Sequence, residues 1–333
     1  MNQNPLVSVV IPTYNNASRI ALTLEAIIAQ DYANLEIILV NDCSSDKTLE
    51  ISRELLSRSN RKFKIITLDK NSGVSVARNT GIANSSGEYI WFCDGDDLSK
   101  ENLVSKLLSS ALKYDSDIAF GGCVNRYDDV NTPDETLPVK IPAQVMTGEE
   151  ALYLRVFKKI SPHFCSALYK REFLVKNNLR FEPGCSAGQD VEFQMKTFCR
   201  AAKISCIQDC VYIYVHHSGM GQVRDRNTPE KTLRRYTHNT QAHFRVAEYL
   251  SQHAQSRRIS NIAKNLLLPE ALIRQFTIFS RAADWENFAS LRSRENLGIL
   301  LRSGKYLLKK PEVFLKALAI ICLPKIYYKL RRN

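Results

Sequence analysis

An α/β fold with a mostly parallel sheet, followed by a helical C-terminal region, is predicted by three features of the 333-residue sequence. Short apolar runs alternate with helix-spaced segments through the first 125 residues. Those runs end in polar clusters rich in Asp, Asn and Ser, and from about Thr228 the pattern turns helical to the last residues. Strand–helix alternation at this spacing implies right-handed βαβ crossovers and a sheet covered on both faces.

The first run, Val7-Ser-Val-Val-Ile11, ends at Pro12-Thr13-Tyr14-Asn15-Asn16 and precedes helical spacing over 20–28. Residues 35–40 read as a second buried strand; Asn41-Asp42-Cys-Ser-Ser-Asp46 then carries the capping chemistry of a helix over 47–56. A third strand over 63–68 leads through Asp69-Lys-Asn71-Ser-Gly73 into a helix over 73–83. The fourth strand, 89–93, runs into Asp94-Gly95-Asp96-Asp97, with a helix expected over 98–112 and a fifth strand over 118–124. Residues 126–147, with Asp128, Asp129, Pro133 and Asp134, read as a loop. A helix over 148–159, a strand over 163–169, a helix over 188–200 and a strand over 211–215 follow. Helices over 230–257 and 259–280 come next, and 311–330 sets an apolar stripe among lysines and arginines.

A hydrophobic fraction of 44% and a charged fraction of 24% are those of an ordinary globular protein. Nine cysteines without a Cys-x-x-Cys pair suit reduced, mostly buried thiols in a cytoplasmic protein, and zinc is not expected. The start, Met1-Asn-Gln-Asn-Pro5, lacks the basic and apolar regions of a secretion signal, and no apolar run approaches a membrane span. The net charge of +12 is uneven: from Arg224 onward there are 22 Lys and Arg against 8 Asp and Glu, a net +14, leaving −2 before it. Basic residues flanking the apolar stripe of 311–330 suit an anionic membrane surface, the alternative being a helix docked on the body with solvated lysines. No nucleic-acid partner is expected, because no helix-turn-helix, RRM-like or zinc pattern accompanies the charge.

In a parallel sheet the four polar strand ends lie on one edge and face one crevice, where α/β proteins bind ligands. Hard divalent cations take oxygen ligands, so Asp94 and Asp96 are candidates for a metal–diphosphate site, against the plainer reading of an Asp-Gly turn that caps a helix. Arg78, beside the small face of Val74, Ala77 and Gly81, suits bidentate phosphate or base contact. The plainer reading makes Thr13, Asn15 and Asp42 helix caps, and Gly73 and Gly81 packing glycines.

Taken together, Val7-Ser-Val-Val-Ile-Pro12-Thr13-Tyr14-Asn15, Val40-Asn-Asp42-Cys-Ser-Ser-Asp46, Asn71-Ser-Gly73 with Ala77-Arg78-Asn-Thr-Gly-Ile82, and Phe92-Cys-Asp94-Gly95-Asp96-Asp97 resemble the motif series of family 2 glycosyltransferases, over roughly residues 6–125. The resemblance implies a GT-A fold: a Rossmann-like, mostly parallel sheet with helices on both faces, plus the C-terminal helical region. It also implies a nucleotide-sugar donor, commonly UDP-linked, a divalent cation (Mn2+ or Mg2+) and inversion at the anomeric carbon. Pro12, Thr13, Tyr14, Asn15, Asp42, Asn71, Gly73, Arg78, Asp94 and Gly95 would then bind the donor, with Asp94, Asp96 and His217 at the metal. Asn41 stands where the family more often has Asp.

Gly188-Gln189-Asp190-Val-Glu192-Phe193 resembles the segment that supplies the family's general base, which makes Asp190 the candidate and Glu192 the fallback; a helix N-terminal acid is the plainer reading. Tyr212-Ile-Tyr214-Val-His-His217-Ser218 resembles the aromatic strand ending in His, with Val215 in place of a common Arg. The expected division is 1–125 for the donor half, 126–225 for the acceptor half and 226–333 for a basic helical region. The expected acceptor is a saccharide or lipid-linked saccharide, met at the inner face of a bacterial membrane in surface polysaccharide or lipopolysaccharide assembly. A sugar nucleotidyltransferase should carry a Gly-rich basic loop after the first strand, which Pro12–Asn16 is not. A non-catalytic glycan-binding or scaffold protein should lack the carboxylates that are present here.

Overall fold

The structure, a computed structural model, describes residues 4–128, 132–138, 144–217 and 228–332. Asp129 and Ser218, both named above, lie outside the described residues. Two compact units are formed, Met1–Gly184 with Ala201–Ser218, and Cys185–Arg200 with Gly219–Asn333. These units are set by compactness, whereas the divisions expected at 125 and 225 are ones of role. Strands after residue 125 complete the N-terminal sheet, whereas 185–200 pack with the C-terminal helices.

The first unit holds a ten-stranded sheet. Strands β1 (Val7–Thr13), β2 (Leu35–Asn41), β3 (Lys62–Thr67) and β4 (Tyr89–Phe92) are mutually parallel in the order β3-β2-β1-β4. The central pair is buried along nearly its whole length, as continuous Val/Ile/Leu runs require when helices cover both faces. Helices α1 (Ile20–Ile28), α2 (Thr48–Arg58) and α3 (Val74–Asn84) make the crossovers. Gly81 lets α3 sit directly on β1: a Cβ there would lie 2.2 Å from Val10 Cγ1.

Beyond β4 the sheet is mixed. The helix expected at 98–112 starts later, as α4 (Leu103–Tyr114), because β5 (Leu98–Ser99) pairs with β10 (Ile204–His216). Strand β6 (Ile118–Tyr127) is longer than expected, and the loop of 126–147 contains β7 (Glu135–Leu137) and β8 (Val145–Met146). The capping box of Thr147 and Glu150 starts α5 (Gly148–Val156). The strand expected over 163–169 divides into a 3-10 turn, Phe164–Ser166, and β9 (Ala167–Lys170), followed by α6 (Arg171–Lys176). Strand β9 runs antiparallel between β4 and β6, and β10 lies parallel to β6.

The second unit is helical: α7 (Gln189–Arg200), α8 (Pro229–His253), α9 (Arg257–Ile262), a π turn at Ala263–Leu267, α10 (Leu268–Arg281), α11 (Trp285–Ser290), α12 (Arg294–Leu301), α13 (Pro311–Cys322) and α14 (Pro324–Arg332). Pro324 opens the last helix and ends the one before it, since proline cannot continue a helix it interrupts. No helix among the described residues is long and apolar enough to cross a membrane. None of the nine cysteines forms a disulfide among the described residues.

Candidate active site

The four strand ends of the parallel half meet on one edge, stitched by main-chain bonds from Asp42 N to Thr13 O (2.8 Å), Leu68 N to Asn41 O (2.9 Å) and Cys93 N to Val10 O (3.0 Å). Asp42 does not cap its own helix. Its two oxygens accept the N–H groups of Ser72 (2.7 Å) and Gly73 (2.8 Å), which fixes the loop ahead of α3. Gly73 there has φ +88°, a conformation that favours glycine. Asp46 takes the capping role instead, accepting from Thr48 N at 3.0 Å. Tyr14 is exposed at the rim, and Asn15, with φ 46°, bonds both Ser44 and Ser45. Asn71 is exposed in the same loop as Gly73. Thr13 Oγ1 and Ser75 Oγ are buried with no hydrogen-bond partner among the described residues.

The Asp94–Gly95–Asp96 loop is pinned from below. Gly95 O accepts from Asn16 Nδ2 and from Thr23 Oγ1 (2.9 Å), and Thr23 also donates to Asp97 O (2.8 Å). Gly95 is close-packed: a Cβ would lie 3.2 Å from both Pro12 O and Asn16 Nδ2. Arg78 is buried between the rings of Phe164 (4.9 Å) and Phe181 (5.2 Å), and its Nη2 meets Asp94 Oδ1 at 2.6 Å. Asp97 is fully buried; it accepts from Tyr212 Oη (2.6 Å) and from Val215 N (2.9 Å), tying the loop to β10. Val215 thus supplies a backbone N–H where an arginine side chain was missed.

Negative charge accumulates here. Burial, then the Asp94 carboxylate, raises the pKa of Asp96 against the opposing His217 and Arg19. Burial, then Asp94 and Asp96, pushes Asp97 well above the usual carboxylate range. His217 places Nδ1 2.7 Å from Asp128 Oδ2 and Nε2 3.2 Å from the Asp96 carbonyl, with Asp96 Oδ2 at 3.8 Å. His217 is thus held between the Asp128 carboxylate and the main chain of the Asp94–Gly95–Asp96 loop, beside the Asp96 carboxylate. Crowded carboxylates whose charge burial disfavours fit a hard divalent cation. No group of three or more His, Cys, Asp or Glu that could hold a metal is found among the described residues, so substrate oxygens would have to complete the shell.

In the second unit Asp190 lies in the first turn of α7, half-buried, where the helix dipole favours a carboxylate. Glu192 is placed differently. It is 2% exposed, bonded to Lys196 Nζ (2.6 Å) and held by Arg245 of α8 through Nε (3.0 Å) and Nη2 (2.7 Å). Ser186 Oγ is 2.7 Å from His238 Nδ1, so α8 grips the segment on both sides of Asp190. Gly188, φ +82°, packs against Asn239 and Ala242 of the same helix.

Asn16, Thr23, Asp97, Asp128 and Arg245 were not singled out from the sequence. Asp97 alone carried a local signal, as the third acid of its cluster. The others act on partners 53 to 89 residues away.

The family model described as Glycosyl transferase family 2 matches residues 8–176. Glycosyltransferase GlyG of Streptococcus pneumoniae is 33% identical over 221 residues, which span 64% of this chain and 72% of GlyG. The structure of Staphylococcus aureus TarS 1-349 in complex with UDP-GlcNAc matches with a TM-score of 0.63 at 22% identity, covering 98% of this chain and 88% of that one. A mannosyltransferase, PcManGT from Pyrobaculum calidifontis in complex with GDP-Man and Mn2+, matches with a TM-score of 0.54 at 19% identity, covering 97% of this chain and 89% of that one.

Proposed function

This chain belongs to glycosyl transferase family 2, and from that premise we propose that it moves a hexosyl or N-acetylhexosaminyl group from a nucleotide sugar, UDP-linked, to a hydroxyl of a saccharide or lipid-linked saccharide. The observation that carries the reading is the convergence of four strand ends on the pinned Asp94–Gly95–Asp96 loop. The GT-A architecture shared with a UDP-GlcNAc complex supports a UDP-linked donor.

Thr13, Tyr14 and Asn15 line one side of the nucleoside pocket; Asp42 with the Asn71–Gly73 loop lines the other. Arg78, buried and paired, acts by orienting Asp94. Asp94 and Asp96, with His217 beside them, would hold Mn2+ or Mg2+, which when bound would supply positive charge for the departing diphosphate. Asp190 takes the proton of the acceptor hydroxyl as its oxygen attacks the anomeric carbon, and Glu192, locked between two cations, braces the helix that carries it. A single in-line displacement inverts the anomeric centre and needs no nucleophilic Ser or Cys. We place the enzyme in the cytoplasm, peripheral on the inner face of a bacterial membrane, in surface polysaccharide or lipopolysaccharide assembly.

Nucleotide release tests this directly. With UDP-GlcNAc, UDP-glucose or UDP-galactose and Mn2+, UDP should appear, and excess chelator should suppress it. Release that chelator leaves untouched contradicts the metal role; release from GDP-mannose alone contradicts the UDP assignment.

A further inference from the structure

The end of the chain was read as either a membrane contact or a helix docked on the body, and its two sides do different things. Tyr327 and Tyr328 of α14 are buried. The Tyr327 hydroxyl lies 2.9 Å from Thr277 Oγ1 of α10, and the Tyr328 ring meets Trp285 (5.0 Å) and Phe288 (5.3 Å) of α11 edge-on. At 3.6 residues per turn, the opposite side carries Ile326 and Leu330, one turn apart, flanked by Lys325 and Lys329. Ile326 is 53% and Leu330 73% exposed, and both lysines are exposed with them. Leu323, at the break between α13 and α14, and Leu315 of α13 are exposed as well, and Leu308, just before α13, is 98% exposed. From Lys305 to the last residue the chain has eight Lys and Arg and one acid, Glu312.

Ile326 and Leu330, one turn apart and rimmed by lysines, form an exposed apolar patch of the kind that marks an interaction surface. A phosphate backbone matches the lysines and leaves the leucines unmet. A second copy of this face brings lysine against lysine, because a two-fold contact is self-complementary. An anionic bilayer matches both, with phosphates at the level of the lysines and hydrocarbon beneath for the apolar side chains. We propose that the outer side of α14, carrying Ile326, Leu330, Lys325 and Lys329, is the surface by which this protein docks on anionic lipid. The assignment rests on the reading that the enzyme works at a membrane, and it names the residues that make the contact.

Co-sedimentation of the full chain with vesicles tests it. Vesicles of phosphatidylglycerol and phosphatidylcholine should pellet the protein at low salt and release it as salt rises; phosphatidylcholine alone should not. Ile326→Glu with Leu330→Glu should weaken binding on the order of a hundredfold, as loss of two buried apolar side chains implies. Lys325→Gln with Lys329→Gln should weaken it about twenty-five-fold, at about fivefold per charge. Leu22→Glu, on an exposed leucine of the first unit, should leave binding unchanged. Nucleotide release from a soluble donor, measured alongside, separates the two readings: lipid binding without release sinks the transferase and keeps the surface. No preference for anionic vesicles, or binding that survives both sets of changes, overturns the proposal. So does a dimer in lipid-free solution that Ile326→Glu with Leu330→Glu disperses, which assigns the face to a second copy.

Discussion

Of three aspartates at the end of β4, Asp94, Asp96 and Asp97, Asp94 pairs with Arg78 while Asp96 and Asp97 crowd beside it, whereas in α7 a single glutamate, Glu192, sits between Lys196 and Arg245. The first group carries unbalanced negative charge, and burial of that charge raises Asp96 and Asp97. The second has no surplus negative charge, with Glu192 oxygens bonded to both cations. Surplus charge on a pinned loop is what a cation site needs before the cation arrives; an acid held by cations in a helical interface is a brace. In the sequence the two look alike, acids at the start of a helix or the end of a strand. Their partners tell them apart.

Changes at each group should break this contrast in different ways. Asp190→Asn keeps the brace and removes the proposed base, so transfer should fall about a thousandfold, within the range for general bases. Mn2+-dependent UDP binding should persist; full transfer by Asp190→Asn would remove the base assignment. Arg245→Met leaves Glu192 buried with Lys196 alone. Stability should drop by about 2–4 kcal/mol in denaturant titration, since stranding a buried charge is costly. Part of the loss should return in Arg245→Met with Glu192→Gln, and unchanged stability would show that the pair is not a brace.

The smallest effect concerns pH. Asp96 and Asp97 have folded pKa values above their unfolded ones, so the folded chain binds these protons more tightly. In chelator their contribution favours folding at low pH and is lost as pH rises through the raised values. A bound cation replaces the proton, so the rise in Tm given by Mn2+ should grow with pH across that window. A Tm increment independent of pH there would argue that Mn2+ binds elsewhere.

Much of this was legible because strand ends are local features. A Val/Ile run that stops at Thr13, Asn41 or Cys93 announces both the strand and the polar group after it, and four of them in parallel define an edge. What stayed hidden depends on partners distant in sequence. The strand expected over 163–169 carries nothing local that announces the antiparallel place of β9 between β4 and β6. Asp97 meets Tyr212 across 115 residues, and Glu192 meets Arg245 across 53. Asp42 read as a possible cap because capping and clamping use the same side chain; only the Ser72 and Gly73 N–H groups decide which. The last helix read as docked or membrane-bound because composition does not say which side carries Tyr327 and which Leu330.

Calorimetric titration of UDP into the parent protein and Asp96→Asn, with Mn2+ and with chelator, bears most directly on the surplus charge of the 94–97 loop. The parent should bind UDP at least about tenfold more tightly with Mn2+, within the usual range of coupling between two ligands. Asp96→Asn should lose that gain and, in chelator, melt no lower than the parent, because it removes a charge that burial disfavours. An Asp96→Asn protein that keeps the full Mn2+-dependent gain contradicts the account.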